Sequence, residues 1–187
     1  LSVIQSCVDL SRFRKLSPPT APLRVIGAIG RLDEQKGFDL LIEAFRKTAN
    51  PNIALHVYGE GAEEAKLRRL AKDDPRIEFK GFAPDPVAAM AAVDIVAMPS
   101  RWEAYGLVAI EALAAKRPLL ASSIDGLQDH VQKGAKAVKP GSDVERWQQA
   151  IEQVTAMGPA DSTFRAQSTT HPEDLYAAAW SDMLRSL

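Results

Sequence analysis

Two glutamates on either side of a glycine are the residues of this sequence best placed to do chemistry. Glu103 precedes Gly106, and Glu111 follows it within the apolar segment that begins at Leu107. That segment predicts a helix, so Glu111 would lie about 7.5 Å along the helix axis from Gly106. A carboxylate in an apolar helix needs water, a cation or ligand hydroxyls, because an unpaired buried charge is too costly. The alternative is an ordinary acid on the exposed face of the helix.

The start of the same predicted helix is suited to an anion. Glu103 lies just ahead of it, where the backbone N–H groups of Tyr105, Gly106 and Leu107 would be free to bind a negative charge. Acids on both sides of a helix N-terminus suit a ligand that carries hydroxyls and phosphate together. The hydroxyls would bind the carboxylates and the phosphate would bind the amides, which predicts a nucleotide sugar.

A second loop, residues 30–37, begins and ends with glycine and carries two cations. The glycines would let the backbone approach a ligand, and Arg31 and Lys36 could face a diphosphate. The alternative is a solvated loop in which Arg31 pairs with Asp33 or Glu34, since surface pairs of this kind are common. The spacing matches neither the dinucleotide-binding fingerprint nor the Walker motif.

The elements that must position these loops alternate regularly along the chain. Apolar runs predict strands, and helical spacing of apolar residues predicts the helices between them. The predicted strands are 23–30, 53–59, 77–81, 94–99, 118–122 and 135–138. The predicted helices begin at residue 38 and cover 62–72, 86–93, 107–115 and 144–157, with a short turn over 127–131. This alternation predicts an α/β fold with a doubly wound parallel sheet, Rossmann-like, whose ligands bind beyond the carboxyl ends of the strands.

Two segments lie outside that alternation. Residues 1–22, which are rich in proline towards their end, are predicted to be an interdomain hinge or linker. Residues 23–158 would form the ligand-binding domain, and residues 159–187 a helical tail. In the tail, apolar residues recur at helical spacing from Tyr176 through Trp180, a stripe that needs a partner surface. Because the chain begins at Leu1 rather than Met, we expect it to be a piece of a longer protein.

Composition narrows the class of protein. The 187 residues, 46% hydrophobic and 25% charged, suit one globular domain, and a formal net charge of -1 offers no field for holding nucleic acid. A single cysteine, Cys7, and three scattered histidines give no metal-ligand spacing. We therefore expect no metal, and we interpret His56, His130 and His171 as structural. Trp102 could either line the site beside Glu103 or simply pack.

The order of these motifs resembles the C-terminal, donor-binding domain of the GT-B glycosyltransferases, specifically the family-four type of retaining enzymes. The two glutamates match that family's pair of glutamates with seven residues between them. The resemblance extends from the hinge-like residues 6–13 to the helix around Trp180, and its further matching positions are Gly30, Arg31, Lys36, Gly37, Pro99, Ser100 and Pro118. The sequence departs from the family at Ala104 and Lys116, where glycine is usual, and at residues 6–7.

The resemblance implies a role for each matching residue. Arg31 and Lys36 would neutralise the donor diphosphate, and Glu103 would bind donor-sugar hydroxyls near the reacting carbon, which makes these three the catalytic candidates. Glu111 would bind the ribose hydroxyls, and the base would pack near Phe82. The other donor-binding positions would be Gly30, Gly59, Gly81, Tyr105, Gly106 and Leu107. Gly59 is the weakest of them, since glycine at such a turn often serves the turn alone.

The implied reaction is transfer of a sugar from a UDP- or GDP-type donor with retention of configuration, without a metal or other cofactor. Lipopolysaccharide or another envelope polysaccharide is the implied product, and the location would be cytoplasmic or peripheral at the inner face of the membrane. The partner would be an N-terminal acceptor domain ahead of the hinge, so the chain alone is expected to be inactive. Self-association through the stripe of Tyr176 and Trp180 is a further expectation. The alternatives are a non-catalytic nucleotide-binding or regulatory module and a GT-B-shaped nucleotide-sugar epimerase.

Overall fold

The strands and helices follow one another as the hydrophobic pattern predicts. The computed structural model describes residues 9–132, 136–138 and 143–156. For residues 129–132 and 136–138 it describes the backbone alone. The strands are β1 (Val25–Ile29), β2 (Ala54–Tyr58), β3 (Ile77–Gly81), β4 (Ile95–Met98), β5 (Leu119–Ser122) and β6 (Lys136–Val138). The helices are α1 (Ser11–Arg14), α2 (Phe38–Lys47), α3 (Glu64–Ala71), α4 (Pro86–Ala91), α5 (Leu107–Ala114), α6 (Asp125–Gln132) and α7 (Val144–Ala156).

The strands form one six-stranded sheet in the order β3-β2-β1-β4-β5-β6. Every neighbouring pair is parallel, which confirms the predicted α/β, Rossmann-like class. Strands β2 and β3 lie on one side of β1, and the chain then crosses back so that β4 pairs with the other side of β1. A crevice opens at such a reversal, beyond the carboxyl ends of the two strands. The loops after β1 and β4 are the two that the sequence singled out.

Both faces of the sheet are covered, as parallel sheets require. Along β4, Ile95 packs into the cluster formed with α2, α3 and α7, and the next residue, Val96, packs into the cluster formed with α1, α4 and α5. The first cluster contains Phe45 and Trp147, which are 0% and 1% exposed. The central strands are therefore a fixed base for the loops at their ends.

Helix α6 corrects one prediction, since the sequence indicated only a turn over residues 127–131. The structure has an eight-residue helix, Asp125–Gln132. Asp125 lies in its first turn, where the helix dipole favours a negative charge. Leu127 is 0% exposed and packs in the second cluster, beneath Gly106. This tertiary contact favours helix in a segment whose own pattern is short.

The described part of the predicted hinge packs on the domain. Leu10 and Phe13 are 2% and 5% exposed and belong to the second cluster. Lys116 Nζ donates hydrogen bonds of 2.9 Å to the carbonyl oxygens of Arg14 and Leu16. Its backbone has a φ of 58°, the left-handed conformation that makes glycine usual after a helix. Lysine at this position therefore holds the segment that precedes the sheet.

Several sequence predictions concern residues outside the described ranges. They are Cys7 and the rest of residues 1–8, the side chain of His130, and the tail with His171, Tyr176 and Trp180. The division into hinge, domain and tail stays a prediction. Within the described ranges, no helix has the length and apolar character needed to cross a membrane.

Candidate functional site

The loop after β1 and the loop after β4 are in direct contact. Gly37 has a φ of 65°, and a Cβ placed there would lie 2.3 Å from the carbonyl oxygen of Pro99. Only glycine allows this approach without moving the backbone. The backbone N–H of Arg101 donates a 2.8 Å hydrogen bond to the carbonyl oxygen of Gln35, which joins the loops a second time.

An ion pair between Lys36 and Glu103 lies where the two loops meet. Lys36 Nζ is 2.7 Å from Glu103 Oε2, and the side chains are only 15% and 10% exposed. The hydroxyl of Ser100, itself buried, donates to the same carboxylate oxygen at 3.4 Å. The lysine side chain passes beside Gly30, since a Cβ there would be in ordinary van der Waals contact with Lys36 Cε, at 3.4 Å. The structure thus brings together two of the three predicted catalytic side chains.

Arg31 adopts the arrangement that the sequence left open as an alternative. Its side chain is 76% exposed and pairs with Asp33 across 3.1 Å. Its Nη2 also donates a 3.3 Å hydrogen bond to Gln35 Oε1, and exposed contacts of this kind contribute at most about 1 kcal/mol each, so little holds the guanidinium in place. Arg31 can therefore turn towards a ligand in the crevice, and its role at a diphosphate stays a prediction.

Glu111 lies on α5, one turn beyond the exposed side chain of Leu107. Residues four apart share a helix face, and side chains lean towards the helix N-terminus, so the Glu111 carboxyl leans towards the start of α5. The carboxyl is partly buried, and burial raises its pKa above the usual range. Among the described residues, no cation or hydrogen-bond donor pairs with it. It is a desolvated acid that a hydroxyl donor would stabilise in its ionised form.

The N-terminus of α5 faces the same crevice. Gly106 has a φ of 71° and lies at the N-cap, with Leu127 beneath it. The backbone N–H groups of Gly106 and Leu107 have no acceptor within the described part of the chain. Ala104, where the family has glycine, has no positive φ, so alanine suits its backbone. Tyr105 is partly buried beside them.

Gly59 serves a close backbone approach, and its predicted contact with a donor stays a prediction. A Cβ on Gly59 would lie 1.8 Å from the carbonyl oxygen of Gly30. The N–H of Leu32 also donates to the carbonyl of Glu60 at 2.9 Å. The loop after β2 therefore supports the loop after β1 from behind.

The large exposed apolar side chains of the described residues are Phe82, Trp102 and Leu107. Phe82 follows β3, Trp102 follows β4, and Leu107 begins α5, so all three lie at the carboxyl edge of the sheet. Phe82 is 66% exposed, and Gly81 before it has open space on its side-chain side. Exposed aromatic faces at a binding edge suit stacking on a flat ring.

No pattern in the sequence indicates a role for Arg101, Gln35 or Gly126. A Cβ on Gly126 would lie 1.8 Å from the carbonyl oxygen of Glu103, so α6 supports the Glu103 loop closely. Arg101 binds Asp39 on α2 through both carboxylate oxygens, at 3.0 and 2.8 Å. Burial raises the pKa of Asp39, but the hydrogen bonds and charge of Arg101 outweigh burial and lower it overall. No local pattern marks these residues, because their contacts depend on which strands become neighbours.

A family model described as glycosyl transferases group 1 matches residues 23–156. The chain belongs to this family. LpsE, the lipopolysaccharide core biosynthesis glycosyltransferase of Rhizobium meliloti, is 33% identical over 153 residues, which are 80% of this chain and 44% of LpsE. A GDP-mannose-dependent phosphatidylinositol monomannoside mannosyltransferase of Corynebacterium glutamicum is 33% identical over 166 residues, 76% of this chain and 44% of that protein. The chain thus spans less than half the length of these relatives.

The solved structure of HepE from Anabaena, in complex with UDP and glucose, superposes with a TM-score of 0.78 at 23% identity. The match covers all of this chain (100%) and 57% of HepE. At this identity the likeness concerns the fold. Family membership confirms the resemblance found in the sequence, and it favours a transferase over a regulatory module or an epimerase. Among the described residues, no group of His, Cys, Asp or Glu side chains could hold a metal ion.

Proposed function

We propose that this chain is the donor-binding half of a retaining glycosyltransferase and binds a nucleotide-diphosphate sugar in the crevice between β1 and β4. The observation that carries the proposal is the ion pair of Lys36 and Glu103, 2.7 Å long and largely buried. It joins a cation that suits phosphate to a carboxylate that suits sugar hydroxyls. In the family to which the chain belongs, the reaction is the transfer of a sugar, and both the cation and the carboxylate would have a role in it.

Lys36 would leave Glu103 and bind the diphosphate, with Arg31 turning in from solvent. The N–H groups of Gly106 and Leu107 would donate to phosphate oxygens at the positive end of the α5 dipole. When the bond from the sugar carbon to the diphosphate oxygen breaks, negative charge builds on the leaving diphosphate. Donors fixed in advance at that position lower the barrier, because they need no reorganisation during the reaction.

Glu103, once released, would accept hydrogen bonds from hydroxyls of the donor sugar and hold its reacting carbon beside the diphosphate. Glu111 would accept from the ribose hydroxyls, which suits a carboxylate whose neighbours supply no donor. Phe82, at the open edge beside Gly81, would stack on the base. In the proposed step, the acceptor hydroxyl bonds to the sugar carbon on the face that the diphosphate leaves, and its proton passes to the leaving phosphate. The cations of the chain take the role that a metal ion has in other transferases.

A separate N-terminal domain would bind the acceptor, so we propose that this chain binds the donor weakly and transfers nothing alone. Two observations support this division: the chain spans 44% of LpsE, and the described site lies at one edge of a single sheet. The LpsE relationship supports a role in lipopolysaccharide or other envelope polysaccharide synthesis, at a cytoplasmic site or the inner membrane face. Relatives named for GDP-mannose and complexed with UDP support a UDP- or GDP-type donor.

Calorimetric titration tests the proposal. UDP, GDP and ADP, then UDP-glucose and GDP-mannose, are titrated into the chain and into its Lys36→Ala and Glu111→Ala variants. Arg68→Ala is the matched control, because Arg68 forms a carboxylate pair with Glu64 on α3 outside the crevice. Binding of at least one nucleotide that weakens about tenfold or more in both site variants, and not in the control, supports the proposal. If no nucleotide binds, or the site variants bind like the control, the proposed function is wrong.

A further inference from the structure

Arg101 makes an unusual number of contacts for a residue in a surface loop. Its backbone N–H and its guanidinium bind backbone oxygens of the other loop, those of Gln35 at 2.8 Å and Glu34 at 2.7 Å. The guanidinium also forms a bidentate pair with Asp39, through Nη1 at 3.0 Å and Nη2 at 2.8 Å. The Arg101 side chain, on the loop after β4, thus binds both the loop after β1 and the start of α2.

A reciprocal contact runs the other way. Gln35 Nε2 donates a 3.1 Å hydrogen bond to the carbonyl oxygen of Trp102. On one side, Gln35 directly precedes Lys36. On the other, Arg101 and Trp102 directly precede Glu103. These contacts therefore hold the backbones of the two loops in place at positions one or two residues away from Lys36 and Glu103.

We infer that Arg101 is a positioning residue that sets the distance between Lys36 and Glu103. A planar guanidinium with five donors can bind a carbonyl and a carboxylate at once, whereas a lysine ammonium is a point charge on a flexible stem. Loss of the guanidinium releases the carbonyl of Glu34 and the carboxylate of Asp39 together. The loop after β1 is then held to the β4 loop by backbone contacts, by Gln35 and by the Lys36–Glu103 pair itself. The consequence for a ligand rests on the proposed donor site, but the effect on the ion pair does not.

The first test needs no ligand. The interaction between Lys36 and Glu103 is measured by a double-mutant cycle of Lys36→Met and Glu103→Gln, using urea unfolding of the whole chain. The cycle is repeated in an Arg101→Lys background, which keeps the positive charge, and in an Arg68→Ala background as control. We expect the interaction to fall to less than half its original size with Arg101→Lys and to stay unchanged with Arg68→Ala. An unchanged interaction with Arg101→Lys overturns the inference, even if the protein becomes less stable.

The second test measures the consequence for binding. UDP-glucose and GDP-mannose, whose diphosphate and sugar need both loops in place, are titrated into the wild-type chain and into Arg101→Lys, Asp39→Asn and Arg68→Ala. We expect about tenfold weaker binding in the first two variants, measured well below the unfolding temperature of each, and no change in the control. Wild-type affinity in Arg101→Lys contradicts the positioning role. If the wild-type chain binds neither nucleotide sugar, the proposed function fails, and the double-mutant cycle still decides the role of Arg101.

Discussion

Replacing Glu103 with glutamine should tighten the binding of a bare nucleoside diphosphate. Lys36 is engaged with Glu103 across 2.7 Å, and both side chains are largely buried. A diphosphate without sugar must take Lys36 away and leave the carboxylate unpaired beside an anion. Glutamine keeps the shape of the side chain but removes its charge, so Lys36 is free for phosphate from the start.

The size of the effect follows from the geometry of the pair. At an effective dielectric constant of about 20, unit charges 2.7 Å apart attract by about 6 kcal/mol. The desolvation of two largely buried ions offsets most of that attraction. We expect the binding free energy of UDP or GDP to become more favourable by about 1.5 kcal/mol in Glu103→Gln, which is about tenfold tighter binding.

The nucleotide sugar should respond in the opposite way. Hydrogen bonds from sugar hydroxyls to an ionised acceptor contribute about 1.5–3 kcal/mol, and a neutral amide keeps only part of that. The affinity gained by adding the sugar should therefore fall about tenfold in Glu103→Gln. Calorimetry with UDP against UDP-glucose, and GDP against GDP-mannose, measures the ratio directly. The control is Glu145→Gln, which removes the acid of another Lys–Glu pair, with Lys47 on α2. Weaker binding of the bare diphosphate, or an unchanged ratio, would mean that Glu103 does not hold Lys36 away from phosphate.

Three further predictions concern pH, the support of the site and the segment before the sheet. Because burial raises the pKa of Glu111 in the free protein and hydroxyl donors would lower it in the complex, nucleotide affinity should rise with pH until the raised pKa is passed and then level off. Calorimetry across pH should show this rise in the wild type and not in Glu111→Gln, which also corrects for titration of the phosphate. Gly126→Ala places a Cβ 1.8 Å from the carbonyl oxygen of Glu103. Urea unfolding should therefore show a free energy of unfolding lower by about 1–3 kcal/mol, and calorimetry should show weaker nucleotide binding. Wild-type values for both would show that the close contact is not needed. Phe13→Ala should cost about 3–5 kcal/mol of unfolding free energy because this side chain is buried against α4 and α5, and a cost below about 1 kcal/mol would mean that the segment is loosely held.

The alternation of strands and helices could be predicted from the sequence because each element carries its own pattern. Strand β3 has the predicted bounds, 77–81, and α5 begins at the predicted Leu107. Helix α6 was predicted only as a turn, since its formation depends on Leu127 being buried beneath Gly106. That burial comes from another part of the chain and leaves no local signal.

The candidate site divides in the same way. Lys36 and Glu103 could be predicted because residue type, spacing and position after a strand all pointed to them, and the structure pairs them. The hydrogen bonds from Arg101 to Asp39 could not be predicted, because they require β4 to lie beside β1 and the two loops to be in contact. An arginine beside a serine in a loop has no chemical signature of its own. The exposed pair of Arg31 with Asp33 was one of two arrangements that the sequence allowed equally.

A crystal structure of the chain with a bound nucleotide sugar, chosen by the titrations, would show whether the loop of Lys36 and the loop of Glu103 form one pocket for a sugar carried on a diphosphate. We expect Lys36 Nζ within hydrogen-bond distance of a diphosphate oxygen, Glu103 accepting from sugar hydroxyls, and the ion pair between them opened. A nucleotide sugar bound elsewhere on the sheet, with the Lys36–Glu103 pair intact, would contradict this expectation.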